Sequence, residues 1–317
     1  MYRRPHRRSR LCPVTVALGL LGLCFSLASP ADEPVTVRHM PSDTSFDRRD
    51  DYALALLQLA LEKTTEDHGP ARLEAAPFRV SQARAERLIR DGDYLDVLWA
   101  MTSRDREAVL LPVRIPLMRG LMGARVLVVT KDRRGRMAEV ESLMALRGYP
   151  LAQGHDWPDS AILRANALHV ETSSDFHSLF RMLARGRVAA VPRSITEIWA
   201  EQDLHERFQL TVEPDLLLLY RAPNYFFVSP ERPDLQQRIS MGLERAIADG
   251  SFERLFQTHP ATAPALALLA TENLRIIRLS NPDLTGETPL EREELWHQPL
   301  FEGHPTSPTR DDQSPAR

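Results

Sequence analysis

The stretch from Asp91 to Gly120 constrains the fold most, because it contains a short apolar run that ends abruptly in polar residues. The run, Val97 to Met101, is bounded by turn residues and is typical of a buried strand in a parallel sheet. Open α/β sheets bind ligands at the carboxyl ends of such strands. Thr102, Ser103 and Arg106 follow and offer hydroxyl and guanidinium donors suited to a carboxylate or phosphate. Solvated arginines and a hydroxyl that caps the next turn are the structural alternative.

Strand and helix patterns alternate along the chain. Apolar or alternating segments predict strands at 35–39, 72–78, 97–101, 121–130, 169–172, 188–191, 216–220 and 225–228. Amphipathic segments predict helices at 52–63, 82–90, 139–146, 158–166, 176–185, 195–202, 235–248 and 252–256. This order favours parallel sheets with right-handed crossovers, arranged as two α/β lobes with a ligand cleft between them.

The first 31 residues have the pattern of a cleavable secretory signal peptide. Five arginines precede an apolar stretch at 14–28 that is too short and too poorly flanked for a membrane span. Small residues at 29–31 offer a cleavage site before Asp32, and an uncleaved anchor is the alternative. Cys24 follows a leucine instead of the small residue that a lipoprotein signal usually carries, so no lipid anchor is expected. The sequence therefore predicts export to the periplasm.

Cysteine content and charge exclude several classes of protein. Both cysteines, Cys12 and Cys24, lie in the predicted signal peptide, so the mature chain would have no disulfide and no thiol nucleophile. Loss of the five arginines changes the formal charge from −3 to about −8. No basic stripe, HExxH motif or phosphate loop follows. We therefore expect a monomer with a small-molecule ligand, and no nucleic acid, metal or other cofactor.

Four short motifs together resemble those of type 2 periplasmic solute-binding proteins, the group that delivers amino acids and similar solutes to ABC transporters. Residues 91–97 resemble the family's entry to its third strand, and residues 102–107 are similar to its ligand loop. Residues 183–188 resemble a helix–strand step of the second lobe, and residues 248–256 resemble the C-terminal signature. The similarity covers residues 35–259. It implies a two-lobed α/β fold with mixed, mostly parallel sheets, helices on both faces and a hinge between the lobes.

The resemblance implies a ligand site between the lobes. In the family, the residues that match Ser103 and Arg106 hold a substrate carboxylate, so these two are the first candidates, with Thr102 beside them. A bidentate arginine supplies both charge and geometry. Replacing Arg106 by alanine is therefore expected to abolish ligand binding and to leave the fold intact.

Other candidates lie elsewhere in the predicted cleft. Three of them stand where the family has a Gly-Thr-Thr-like turn at a helix N-terminus: Gly154, His155 and Asp156. An N-cap role is the alternative for the aspartate. Arg193 lies where amino-acid binders carry an acid for the substrate ammonium, which favours an acidic or neutral ligand. The alternative is that Arg193 caps the preceding strand or pairs with Glu197. Trp99 is expected to line the ligand, and core packing is its alternative.

The same resemblance predicts the domain limits. Residues 32–120 and 216–260 would form a discontinuous first lobe, and residues 121–215 the second. Residues 261–301 extend past the family's usual end and are expected to pack on a lobe. The polar, proline-rich residues 302–317 predict a disordered tail.

Three functions suit this sequence. The first is a periplasmic solute-binding protein that captures a small polar solute, anionic or amino-acid-like, by hinge closure and presents it to an ABC transporter. The second is a sensor or partner-binding protein on the same fold, read by a membrane sensor. The third is a dehydratase-like enzyme, for which His155, Asp156 and Glu197 are the candidate acids and bases. The absence of a recognisable catalytic motif favours a binding protein over an enzyme.

Overall fold

A computed structural model describes residues 33–42, 50–137, 139–270 and 274–302. The predicted signal peptide and almost all of the predicted tail lie outside these residues. Within them, no helix is both long and apolar enough to cross a membrane.

The described strands and helices alternate over most of the chain. The strands are β1 (Val35–His39), β2 (Ala71–Ala75), β3 (Val97–Met101), β4 (Leu111–Val113), β5 (Ala124–Thr130), β6 (Leu151–Gly154), β7 (Val170–Ser173), β8 (Val191–Ser194), β9 (Leu210–Leu219), β10 (Asn224–Val228) and β11 (Arg275–Arg278). The α-helices are α1 (Asp51–Glu62), α2 (Thr65–His68), α3 (Gln82–Arg90), α4 (Arg104–Val109), α5 (Leu143–Leu146), α6 (Pro158–Ala165), α7 (Phe176–Ala184), α8 (Gln202–Arg207), α9 (Pro233–Ala248), α10 (Ser251–Thr258), α11 (Ala263–Leu269) and α12 (Gln298–Phe301). Short 3₁₀ helices occupy Leu121–Gly123, Lys131–Arg133 and Glu293–Leu295.

The first sheet has the strand order β2-β1-β3-β10-β4. Helices cover both of its faces, because alternate residues of β3 enter different cores. Leu98 packs in one core with Ile89 of α3, whereas Val97 packs in another with Leu56 of α1 and Leu243 of α9. Strand β10 is buried along its whole length, as expected for a central strand covered on both sides.

The second sheet has the order β11-β9-β5-β8, and β6 and β7 form a separate parallel pair. Pairings of β1 with β2 and β3, and of β9 with β11, are parallel. Those of β10 with β3 and β4, and of β5 with β8 and β9, are antiparallel. The sheets are therefore mixed, as predicted, but they contain fewer parallel pairs than expected. The reason is that β5 and β10, the strands that follow a crossing between the two sheets, run antiparallel to their neighbours.

The chain crosses between the two sheets through residues 114–123 and 220–223. These crossing segments contact each other: Tyr220 N donates to Gly123 O at 3.1 Å. A Cβ at Gly123 would collide with the carbonyl oxygen of Tyr220, so this approach requires glycine. The lobe limits expected from the sequence stay a prediction, and β9 runs through the expected limit at residue 215.

Two predicted elements near the cleft are wrong in position. Instead of a strand at 188–191, β8 spans Val191–Ser194, and Pro192 is accepted there because β8 is an edge strand that pairs only with β5. Instead of a helix at 195–202, residues 195–201 form turns before α8. Local hydrogen bonds favour the turns, because Glu197 Oε2 accepts from Ser194 N at 2.9 Å.

Candidate functional site

A cavity of about 400 Å³ lies between elements of the two sheets. Its first side is formed by residues before α1 and α3 and by β3, and its second side by β5, β8 and the loop between β6 and α6. This volume is within the range of small-molecule sites. We refer to it as the cleft cavity.

The structure divides seven of the eight predicted site residues between two cavities. Four border the cleft cavity: Trp99, Gly154, Asp156 and Arg193. Four border a second cavity of about 490 Å³ between α3, α4 and α6: Ser103, Arg106, His155 and, again, Asp156. Thr102 is buried and borders neither of the two. The ligand loop and Arg193 therefore do not meet at one cavity.

Arg106 is held by α3 and by the end of β3. Its Nη2 donates to Glu86 Oε1 at 2.6 Å, and Nε donates to the same oxygen at 3.0 Å. Nη2 also donates to Gln82 Oε1 at 3.1 Å, and Nη1 donates to the carbonyl oxygen of Met101. The guanidinium is thus already bound by protein acceptors, and the whole residue is 5% exposed.

The hydroxyls of the predicted ligand loop have structural partners. Ser103 is the N-cap of α4, and its Oγ accepts from Arg106 N at 3.2 Å. Thr102 Oγ1 donates to Glu107 Oε1 at 2.5 Å. The capping alternative is therefore observed for Ser103, whereas the Thr102 hydroxyl binds a carboxylate of α4.

Arg193 reaches the cleft cavity from β8 and is 1% exposed. Its Nε lies 3.0 Å from Glu201 Oε2, and its Nη2 lies 2.9 Å from Glu197 Oε1. The rings of Trp157 and Phe176 lie 4.9 and 5.4 Å from the guanidinium carbon. Burial alone would lower the pKa of Arg193, but the Glu197 and Glu201 carboxylates raise it above its ordinary value. The predicted alternative, pairing with Glu197, is observed.

Arg125, on β5, is a cavity residue that the sequence reading missed. Its Nη2 lies 2.7 Å from Asp159 Oδ1 and its Nη1 lies 2.9 Å from Glu197 Oε2. Its Nε donates to Tyr220 Oη at 3.1 Å. Burial opposes the charged form of Arg125, but the carboxylates of Asp159 and Glu197 raise its pKa above the ordinary value. Burial also raises the pKa of the Tyr220 hydroxyl. A lone arginine in the apolar run 124–130 was the available signal.

Glu197 links the two arginines, with one oxygen on each guanidinium. Together the buried network contains two arginines and three carboxylates: Arg125, Arg193, Asp159, Glu197 and Glu201. Buried charges are costly unless they are paired, and this pairing satisfies that requirement. The arginines therefore do not make the cleft a simple anion site, because acids already neutralise them.

Trp99 and Gly154 shape the opposite walls of the cleft cavity. Trp99 Nε1 donates to Asp50 Oδ1 at 2.7 Å, and its ring meets Phe226 edge-on at 6.4 Å. A Cβ at Gly154 would collide with the indole of Trp157, so glycine is needed there for close packing. His155 and Asp156 follow and are exposed. Among the described residues, no group of three histidine, cysteine or acidic side chains could hold a metal ion.

No protein-family model matches this sequence, and no curated protein does. Solved structures do resemble the fold. An ancestral arginine-binding protein bound to glutamine has 15% identity and a TM-score of 0.53, over 72% of this chain and 98% of that one. A periplasmic binding protein of Salmonella typhimurium with high arginine specificity has 14% identity and a TM-score of 0.51, over 71% of this chain and 98% of that one.

A third similar structure is an amino acid ABC transporter substrate-binding protein from Streptococcus pneumoniae, bound to L-arginine. It has 14% identity and a TM-score of 0.51, over 74% of this chain and 94% of that one. These proteins match almost their whole length to this chain at identities that show fold alone. The chain therefore has the α/β fold of the type 2 periplasmic binding proteins, which confirms the fold that its four sequence motifs predict.

Proposed function

We propose that this protein is a periplasmic solute-binding protein, which captures a small polar solute in the cleft cavity by hinge closure. The main observation behind this proposal is a cavity of about 400 Å³ that is lined by elements of both sheets. A solute that contacts both walls stabilises the closed arrangement by its differential affinity for it. The two adjacent crossing segments, 114–123 and 220–223, are the proposed hinge.

The charges of the cavity wall favour an amino-acid-like solute over a purely anionic one. Three arginines and four acids line it: Arg79, Arg125, Arg193, Asp50, Asp156, Asp159 and Glu197. A wall with both signs of charge suits a solute that carries both a carboxylate and an ammonium group. The three similar proteins are named for binding arginine or are bound to arginine or glutamine, which supports the same choice.

We assign the carboxylate of the solute to Arg193 and its ammonium group to Asp156. Arg193 Nη1 makes no hydrogen bond within the described part of the chain, although its Nε and Nη2 do. Asp156 is exposed and borders the cavity. Trp99 and Gly154 complete the proposed site. The ligand roles of Thr102, Ser103, Arg106 and His155 stay predictions, because none of the four borders the cleft cavity.

We propose an ABC permease as the partner, because one similar protein is an ABC transporter substrate-binding protein. A membrane sensor is the alternative partner. We propose no catalytic activity, because Glu197, a candidate base, has an arginine bound to each carboxylate oxygen. Protein donors therefore already occupy both oxygens of this carboxylate.

A thermal-shift screen tests this proposal with the secreted protein against amino acids, dicarboxylates, phosphorylated metabolites and small peptides. A solute at a hundredfold excess over its dissociation constant adds about 2.7 kcal/mol to the unfolding free energy. We expect the largest shift from an amino acid, and we expect Asp156→Asn to reduce it. Asp203→Asn, an exposed carboxylate on α8 that borders neither cavity, is the matched control. A shift with dicarboxylates alone contradicts the amino-acid assignment, and no shift with any class favours the partner-binding alternative.

A further inference from the structure

Residues 274–302, which we call the C-terminal strap, bind elements of both sheets. The strap begins with β11, which pairs in parallel with β9 of the second sheet. Farther along, Arg292 Nη1 lies 2.6 Å from Glu244 Oε1 on α9, which packs on the first sheet. The strap therefore adds a third connection beside the two crossing segments.

A short part of the strap joins α6 to α4. Ser280 exchanges two hydrogen bonds with Asn166, which follows α6, with distances of 2.8 and 3.0 Å. Five residues later, Thr285 Oγ1 donates to Glu107 Oε2 on α4 at 3.1 Å. Arg104, at the start of α4, also donates to Pro282 O at 3.3 Å. Helix α6 belongs to the second side of the cleft and α4 follows β3 of the first side, so the strap spans both.

The strap also holds the backbone of each crossing segment. Asn281 Nδ2 donates to Arg221 O at 2.8 Å, in segment 220–223. His297 N donates to Arg119 O at 2.9 Å, in segment 114–123. Hinge bending needs changes in the backbone torsions of such segments. Both acceptors thus lie where the proposed hinge has to move.

Two aromatic side chains of the strap, Trp296 and Phe301, pack on the two crossing segments. Trp296 is fully buried, and its ring centre lies 4.6 Å from the guanidinium carbon of Arg221. Phe301 lies 4.8 Å from that carbon. Gly120 has a φ of 86°, and a Cβ there would collide with the Phe301 ring. Desolvated cation–π contacts and buried aromatic surface both resist separation of the strap from the hinge.

We infer that the C-terminal strap limits the opening of the cleft, so that a solute enters only when the strap loosens. The reason is geometric. The strap is hydrogen-bonded to α6, to α4 and to both crossing segments. A rotation of one sheet relative to the other cannot preserve all of these contacts. Opening therefore breaks strap contacts in addition to changing the hinge torsions.

The test measures the distance between the two sides directly and uses no ligand. Spin labels are placed at Arg87→Cys on α3 and Met144→Cys on α5, both exposed positions, in the full chain with Cys12→Ser and Cys24→Ser. Pulsed electron spin resonance gives the distribution of label distances. We expect one narrow distribution in this background. Asn166→Ala with Asn281→Ala should raise the longer-distance population on the order of tenfold, because the three hydrogen bonds that join the strap to Asn166 and Arg221 are lost.

Gln236→Ala is the matched control. Gln236 Nε2, on α9, donates to Pro112 O, on β4, at 3.0 Å, so this bond joins the first sheet to its own covering helix. It should leave the distance distribution unchanged. If the double variant fails to fold, Asn281→Ala alone removes the one hydrogen bond to Arg221 O, together with a bond inside the strap, and is expected to shift the same population to a smaller extent. Folded strap variants with the background distribution would overturn the inference and leave the strap a purely structural segment. Because no solute is used, this result is independent of the proposed solute.

Discussion

Arg125 and Asp159 form a buried ion pair in which Nη2 lies 2.7 Å from Oδ1, with side chains 2% and 5% exposed. Removing one partner would leave the other charged and desolvated. We expect Asp159→Asn to lower the unfolding free energy by about 3–5 kcal/mol, measured by urea denaturation. The double variant Arg125→Met, Asp159→Leu should recover much of this loss, because it leaves neither charge of the pair unpaired. A double variant less stable than Asp159→Asn would contradict this account.

Arg106 offers a direct comparison between the sequence-based prediction and the structure. Its contacts with Glu86, Gln82 and Met101 O predict that Arg106→Ala lowers the unfolding free energy by about 1–3 kcal/mol. The sequence predicts instead a loss of ligand binding with an intact fold. Thermal unfolding and ligand titration of the same variant separate the two. Unchanged stability with lost binding would restore Arg106 as the ligand anchor.

Gly123 is expected to tolerate no side chain. Gly123→Ala places a Cβ against the Tyr220 carbonyl oxygen, so the two crossing segments must separate. We expect a loss of about 1–3 kcal/mol in unfolding free energy. Gly148→Ala is the control, because its Cβ would lie 3.6 Å from Ala145 O, an ordinary contact, and should change stability by less than about 1 kcal/mol. Equal effects of the two substitutions would argue against a close approach of the two crossing segments.

His205 predicts a pH dependence of stability. Burial lowers its pKa to about 4 from an ordinary value of 6.5, with a smaller contribution from Arg193. Between these two values the unfolded chain binds a proton that the folded chain does not, so stability falls as the pH is lowered from about 6.5 to 4. His205→Gln should reduce this slope in urea unfolding. At pH 8 the imidazole is neutral in both the folded and the unfolded chain, so a stability difference between the two proteins there reports packing alone. If His205→Gln leaves the slope between pH 6.5 and 4 unchanged, His205 is not the source of the pH dependence.

The regular elements were largely predictable from the sequence, because their apolar periodicity is strong. Strand β3 and helix α3 have the predicted limits, and α9 begins two residues earlier than expected. Strands β4, β6 and β11 and helices α4 and α8 were not predicted, and the errors of position near the cleft lie at β8 and the turns after it. There, the side chains of Ser194 and Glu197 form local hydrogen bonds that favour turns over a helix. Helix propensity does not include such bonds.

The candidate site was predictable only in part. Trp99, Gly154, Asp156 and Arg193 border the cleft cavity, because strand ends and the loop after β6 converge there. Arg106 borders the second cavity instead, because Glu86, twenty residues earlier, lies within its reach. Arg125 was missed for a similar reason. Ion pairs between distant residues depend on tertiary packing, and no local pattern in one sequence specifies them.

The order of strands in the two sheets also affects how the chain reaches its fold. The second sheet contains β5, which begins at Ala124, and is completed by β11, which ends at Arg278. The first sheet is completed by β10, at Asn224–Val228, which comes after three of the four strands of the second sheet in chain order. Such non-local pairing slows folding. Until β11 pairs with it, an edge of β9 offers unpaired backbone groups to other chains. Strand β11, the last strand in the described part of the chain, therefore also protects a folding intermediate from aggregation.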